Sequence, residues 1–115
     1  TGSLIPGVSY LQAQQVRRQF RADMEALLAD VDVLLTPATP SPAPRDPTTT
    51  GEPLFQGSWT SCGLPCVAIP SGLNGDGMPL GIQLASAPFA EARLLVAAQW
   101  CENALGVTLL PPGME

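Results

Sequence analysis

The chain has neither histidine nor lysine. Without histidine there is no Ser-His-Asp or Cys-His relay to activate a nucleophile, and without lysine there is no serine–lysine pair. Its five basic residues are all arginine, against ten acids, and the net charge is −5. No basic stripe exists, which argues against a nucleic-acid partner and against docking on an anionic membrane. Cysteine occurs only at 62, 66 and 101. An odd, low count is not a disulfide framework, so a reducing compartment, the cytoplasm, is expected. Cys62 and Cys66 lie close in sequence, but a tetrahedral zinc site needs four ligands and no histidine is available; the thiols read as small buried hydrophobes. No run is long enough to span a bilayer, and no charged-then-apolar opening reads as a signal peptide. Gly75 and Gly77 precede a strand rather than a helix, so they are not a phosphate-binding loop.

What is present is a chain of 115 residues, 45% apolar, which suffices for one domain or part of one. Its most ordered stretch runs from Trp59 to Ser86. Two apolar runs, Cys66–Ile69 and Leu80–Leu84, flank Asn74-Gly75 and Asp76-Gly77. Those dipeptides accept positive φ at little cost, so the stretch reads as two strands joined by a tight reversal. Pro65 and Pro70 bracket the first run, which does not alternate and is expected to be buried on both faces.

Upstream, Ser9 reads as a helix N-cap, with Gln12 completing a capping box. Ala13, Val16, Phe20, Met24, Leu27, Leu28 and Val31 then recur at helical spacing. Val33–Thr36 reads as a short buried strand stopped by Pro37. From Thr36 to Pro53 proline recurs at 37, 40, 42, 44, 47 and 53. Such a segment has few backbone donors and favours polyproline II geometry. It reads as a long surface loop, taken over residues 38–58, and a loop of that length is often the rim of a site. Within 38–58, Ser58 is placed to cap a short turn ended by Gly63 and Pro65. Pro88 and Glu91 open a last helix with a stripe of Leu94, Leu95, Ala98, Cys101 and Leu105, closed by Gly106. Val107–Leu110 reads as a short edge segment. The order helix, strand, long proline-rich loop, β-hairpin, helix predicts an α/β protein.

No catalytic set is visible in these residues. The acids Asp23, Glu25, Asp30, Asp32 and Glu52 are scattered, and a converging carboxylate pair finds little support. Four segments nonetheless carry a resemblance: Asp32-Val33-Leu34-Leu35-Thr36-Pro37; Gly63-Leu64-Pro65-Cys66-Val67-Ala68-Ile69-Pro70-Ser71-Gly72; Met78-Pro79-Leu80-Gly81-Ile82-Gln83-Leu84; and Phe89-Ala90-Glu91-Ala92-Arg93-Leu94-Leu95. In this order and spacing, from Tyr10 to Gly106, the chain resembles the C-terminal portion of amidase signature enzymes.

That resemblance implies a large mixed sheet flanked by helices, and hydrolysis of a carboxylic amide to acid plus ammonia or amine. It implies a serine nucleophile activated by a second serine and a lysine, and no metal or other cofactor. None of the three triad members falls on this sequence, so no catalytic residue is assigned. Residues 1–115 are expected to be the C-terminal portion of one amidase-type domain, supplying scaffold and one pocket wall for a small-molecule amide. Many members have asparagine three residues before the Gly-Leu-Pro, where this chain has Thr60. Glutamine-dependent members tend to carry an acid further upstream, where this chain has Pro53 and Leu54 with Glu52 close by. The substrate-binding residues expected here are Phe55, Trp59 and Thr60, which suit an uncharged or aromatic amide. A sheet with open apolar edges is also expected to self-associate as a homo-oligomer. The other reading is a non-catalytic interaction module, with the proline-rich loop as ligand or a sheet edge as docking strand.

Overall fold

The computed structural model describes residues 2–44, 46–108 and 110. After a single 3-10 turn at Gly2–Leu4, helix α1 runs Gly7–Leu27, strand β1 Leu34–Pro37, helix α2 Leu54–Cys62, strand β2 Cys66–Leu73, strand β3 Pro79–Ala85 and helix α3 Glu91–Leu105. The order of elements is the one expected from sequence, with helix α2 added between the proline-rich segment and the hairpin, and the composition is mixed α/β. The three strands form one antiparallel sheet ordered β1-β3-β2.

The hairpin forms as its turn residues dictate. The Asn74 side-chain oxygen accepts from the amides of Asp76 and Met78, both at 2.9 Å, and Gly77 takes the left-handed φ of 76° that closes the loop. Its second strand, β3, is the central one. Leu34 and Cys66 both pair with Ala85, and Thr36 and Ala68 both pair with Gln83. This corrects the expectation that Cys66–Ile69 is buried on both faces. As an edge strand, β2 is covered on one face only, with Val67 and Ile69 inward and Cys66 and Ala68 exposed. Its edge position also explains why it continues through Pro70, with an irregularity between Pro70 and Gly72. β1 is likewise half-covered rather than buried, Leu35 being exposed.

Two cores sit on opposite faces of the sheet. On one, Leu84 and Ile69 pack against Leu94 and Ala98 of α3. On the other, Ala85 meets Leu28, Trp59, Cys62 and Leu64, with Phe20, Met24 and Leu34 packed around them. Adjacent residues of a strand face opposite sides, so Leu84 and Ala85, both at 0% exposure, bury the end of β3 from both directions.

Helix boundaries differ from expectation at three places. α1 begins after Pro6, with no side-chain cap; Ser9 lies inside its first turn, because the fixed φ of proline already suits a helix start. The helix stops at Leu27, where Ala29 and Asp30 donate to Ala26 and Leu27 in 3-10 fashion, and Val31 is exposed. α2 takes over the end of the expected 38–58 loop, closed by Gly63 at φ 69°. Val107, Thr108 and Leu110 belong to no strand, and the rest of the expected edge segment, with the Pro111–Gly113 stop, lies outside the described residues.

Much apolar surface stays uncovered. The radius of gyration is 17.1 Å, against about 13 Å for a compact domain of this length. Leu4, Val8 and Leu11 are exposed along the first turns, and Val96 and Trp100 (72% exposed) project from α3 opposite its buried Leu94 and Ala98. A helix apolar on both sides is normally buried on both. No helix among the described residues is long and apolar enough to cross a membrane.

Replacing Leu84 with alanine removes the best-buried side chain of the α3-side core and is expected to cost about 2–5 kcal/mol. Leu35→Ala, at an exposed position of the neighbouring strand, should change stability by less than about 0.5 kcal/mol. Urea titration followed by circular dichroism checks both, through the transition midpoint at constant slope.

Candidate functional site

The sheet and the proline-rich segment enclose a cleft of about 590 Å³, within the range of small-molecule sites. It starts where β1 ends. The amide of Ala38 donates to the carbonyl of Gly81 at 2.9 Å, carrying the ladder one residue past the strand. Glycine at 81 eases this close approach, since a Cβ there would sit a tight 3.3 Å from both the Ala38 Cβ and the Ile69 carbonyl oxygen. Beyond Ala38 the chain swings out through Pro40, Pro42 and Pro44 and returns through Thr49–Glu52, with Gly51 at φ 82° folded back against Pro44. Ala68, Ile69 and Pro70 of β2 and Pro79, Leu80 and Gly81 of β3 form the sheet side.

The loop is held by side chains rather than by a ladder, because its prolines have no N–H to give. Thr39 Oγ1 donates to Ser41 O at 2.7 Å. Asp46 accepts from the Thr48 amide at 2.9 Å and from its hydroxyl at 2.7 Å. Gln56 of α2 donates from Nε2 to Ala38 O at 2.6 Å and so pins the loop's root. Behind it, buried Gln83 donates to Thr36 Oγ1 at 3.1 Å. Two buried polar atoms on α2, Gln56 Oε1 and Trp59 Nε1, have no hydrogen-bond partner among the described residues.

Chemically, the cleft can bind more readily than it can react. Its polar groups include the hydroxyls of Thr39, Ser41, Thr49 and Thr50, and among the described residues its charged lining residue is Glu52. No base stands ready for those hydroxyls, since the chain contains no histidine or lysine. The two thiols near the sheet do not substitute. Burial pushes the thiol pKa of Cys62 up, only partly countered by Arg21 and Arg17, and burial does the same to Cys66; both disfavour the reactive thiolate. Among the described residues no group of three or more His, Cys, Asp or Glu is placed to hold a metal ion.

The three residues expected to touch a substrate do not line one cavity. Trp59 is 8% exposed and lies in the core with Leu28 and Cys62. Phe55, four positions earlier on the same side of α2, is half-buried. Thr60 is exposed and lines a separate, open cleft of about 550 Å³ with Arg21, Gly63, Pro65, Phe89 and Glu91. The division is geometric: neighbouring helical residues point about 100° apart. The positions that sequence reading missed are Ala38, Gln56, Gln83 and Gly81. Gln83 offered a signal, a polar residue in an otherwise apolar strand; Ala38 and Gly81 matter through a contact 43 residues apart in the chain, which no local pattern carries.

A model of the family described as Amidase matches residues 5–95. Among curated proteins, a glutamyl-tRNA(Gln) amidotransferase subunit of Brucella ovis is 43% identical over 107 residues, covering 84% of this chain and 22% of that protein. The subunit of the same name from Methylorubrum extorquens is 41% identical over 111 residues, with 89% and 22% covered. Among solved structures, the corresponding glutamyl-tRNA(Gln) amidotransferase subunit of Thermotoga maritima superposes with a TM-score of 0.63 at 26% identity, covering 74% of this chain and 20% of that one. A 6-aminohexanoate cyclic dimer hydrolase gives 0.75 at 23% identity, covering 96% and 27%, and shares the fold. The chain thus spans about a fifth of the length of the curated relatives it matches.

The Asp46 turn should be pH-sensitive. The Thr48 amide, and then its hydroxyl, hold the Asp46 carboxyl below the usual carboxylate range. A lowered folded-state pKa means the contribution is complete above the unfolded value and is lost as pH falls through the folded one. In an NMR titration the Thr48 amide signal should therefore move at a pH below the ordinary aspartate range, and Asp46→Asn should abolish that step.

Proposed function

The chain belongs to the amidase family, and on that premise we propose that it is the C-terminal portion of a single amidase-type domain that hydrolyses a carboxylic amide to acid plus ammonia or amine. In this reading the chain supplies sheet scaffold and one wall of the substrate pocket. The nucleophile and its activating groups come from residues outside this sequence. The observation that carries the proposal is the cleft under the proline-rich loop: a ligand-sized volume with hydroxyls and apolar walls, in a chain with no base to activate those hydroxyls.

The chemistry of the walls favours a small, largely uncharged amide. Prolines and alanines dominate, so an apolar acyl group gains by leaving water, and the threonine hydroxyls can donate to an amide carbonyl or accept from its N–H. Of the three α2 residues expected to bind substrate, Thr60 is proposed to border it through the neighbouring open cleft, with Phe55 and Trp59 supporting the helix from behind. No cofactor is invoked. A second reading rests on Glu52: it is a charged residue lining the cleft, and a carboxylate there suits an amide donor that carries an amino group. Both curated relatives are named as subunits of glutamyl-tRNA(Gln) amidotransferase. Glu52→Gln, carried in an amidase containing this chain, separates the two. It should leave turnover of a neutral aliphatic amide within about twofold under the first reading, and weaken an amino-bearing donor by about tenfold or more under the second, as expected for a lost charge-assisted hydrogen bond.

The uncovered apolar faces of α1 and α3, with two open sheet edges, lead us to propose that the chain by itself self-associates. Its cysteine usage fits a reducing compartment, proposed to be the cytoplasm.

Two measurements test these proposals. Incubation of the 115-residue chain with primary aliphatic and aromatic amides should release no ammonia above buffer; turnover dependent on the chain would overturn the assignment of the nucleophile elsewhere. Sedimentation velocity at micromolar to millimolar concentration should give a mass above that of the monomer, whereas a monomer throughout would sink the proposed association.

A further inference from the structure

The outer edge of β2 carries a hydrogen-bonding pattern that is complementary to itself. In an antiparallel pair, residues that exchange backbone bonds with their partner alternate with residues whose N–H and C=O point the other way. The Ser86 amide donates to Pro65 O at 3.2 Å, which sets the phase. With Cys66 opposite Ala85 and Val67 opposite Leu84, Val67 and Ile69 bond to β3, while Cys66, Ala68 and Pro70 turn their backbone groups outward. Pro70 has no N–H to offer. The open part of the edge is therefore Cys66 to Ala68, and both of these residues are exposed. Among the described residues no other backbone group bonds to them from that side.

We propose that this edge pairs antiparallel with the same edge of a second copy, about a two-fold axis at Val67. Cys66 of each copy then faces Ala68 of the other, and every open N–H meets a carbonyl. The neighbouring registers lose bonds. Centring on Cys66 sets Ala68 against Leu64, whose amide already donates to Trp59 O at 3.1 Å. Centring on Ala68 sets Cys66 against Pro70, which has no N–H. The β1 edge is a poorer match: the bond from Ala38 to Gly81 fixes its phase, so Leu35 and Pro37 point outward and only Leu35 has a donor. This inference rests on the self-association proposed above and assigns it a surface and a register.

The surroundings of the edge leave room for a strand. Leu95, Gln99 and Glu102 of α3 border an open groove of about 340 Å³ along Val67–Pro70, so the helix does not seal the edge. A two-fold axis perpendicular to the sheet puts both α3 helices on one face of the joined sheet, where the exposed Leu95 can be covered. The pairing also reaches the cleft under the proline-rich loop. Ala68 lines that cleft, and directly opposed residues share a face with Cβ atoms about 4.5–5.5 Å apart. Cys66 of the second copy thus stands beside the cleft wall.

Sedimentation velocity and amide hydrogen exchange on the 115-residue chain test the pairing. Ala68→Pro removes one outward N–H per copy and no bond to β3. It should raise the dimer dissociation constant by about tenfold or more, whereas Leu35→Pro, the same change on the β1 edge, should leave it within about twofold. In the unsubstituted chain the Cys66 and Ala68 amides should exchange more slowly as concentration rises. A chain that associates while these amides stay unprotected, or that associates equally well after Ala68→Pro, overturns the edge pairing and leaves association to another face. A chain monomeric at every concentration overturns both. If circular dichroism shows that Ala68→Pro does not fold, the concentration dependence of exchange in the unsubstituted chain decides.

Discussion

Everything in this fold is registered against β3. Among the described residues it is the strand with a partner on both sides, β1 and β2, and its last residues are buried on both faces. Leu84 anchors α3 below the sheet, and Ala85 admits α1 and α2 above it. The small side chain at 85 matters because Trp59 and Cys62 occupy the space over it. A one-residue slip of β3 would exchange these faces and leave both cores without their anchor.

The same strand sets the cleft. Gly81 lies where β1 gives way to the proline-rich segment, and the absence of a side chain there eases the approach of Ala38, which extends the ladder by one bond. From that point the chain has few backbone donors left, so its path is held by Thr39, Asp46 and Gln56 and by the return of Gly51 against Pro44. A wall built in this way is shaped by prolines and hydroxyls. It offers a binding surface and hydroxyls, and it leaves activation of a nucleophile to other residues, which is the division of labour proposed for an amidase.

The exposed faces point the same way. Trp100 and Val96 lie on a helix whose opposite side already fills the core, and Phe89, 93% exposed, is held at a φ of 62° just before that helix. A non-glycine residue in that region carries a cost of about 1–3 kcal/mol. Apolar surface of this kind is stable in water only when something covers it, and a second copy is the cover proposed for the chain alone.

Local chemistry determined a good deal. Proline spacing marked the loop, Asn74 to Gly77 marked the hairpin, the glycines at 63 and 106 marked two helix ends, and the want of histidine and lysine removed the usual routes to a nucleophile. The four-segment resemblance supplied the family. What sequence alone could not decide was which strand is central, because Cys66–Ile69 and Leu80–Leu84 are both apolar runs and only β1, arriving from 47 residues away at Thr36 and Gln83, makes β3 the inner one. Nor could it decide that Trp59 faces the core while Thr60 faces a cleft, since the phase of a short helix is set by what packs on it. The site's position followed from that same pairing, because the approach of Ala38 to Gly81 exists only once the sheet has closed.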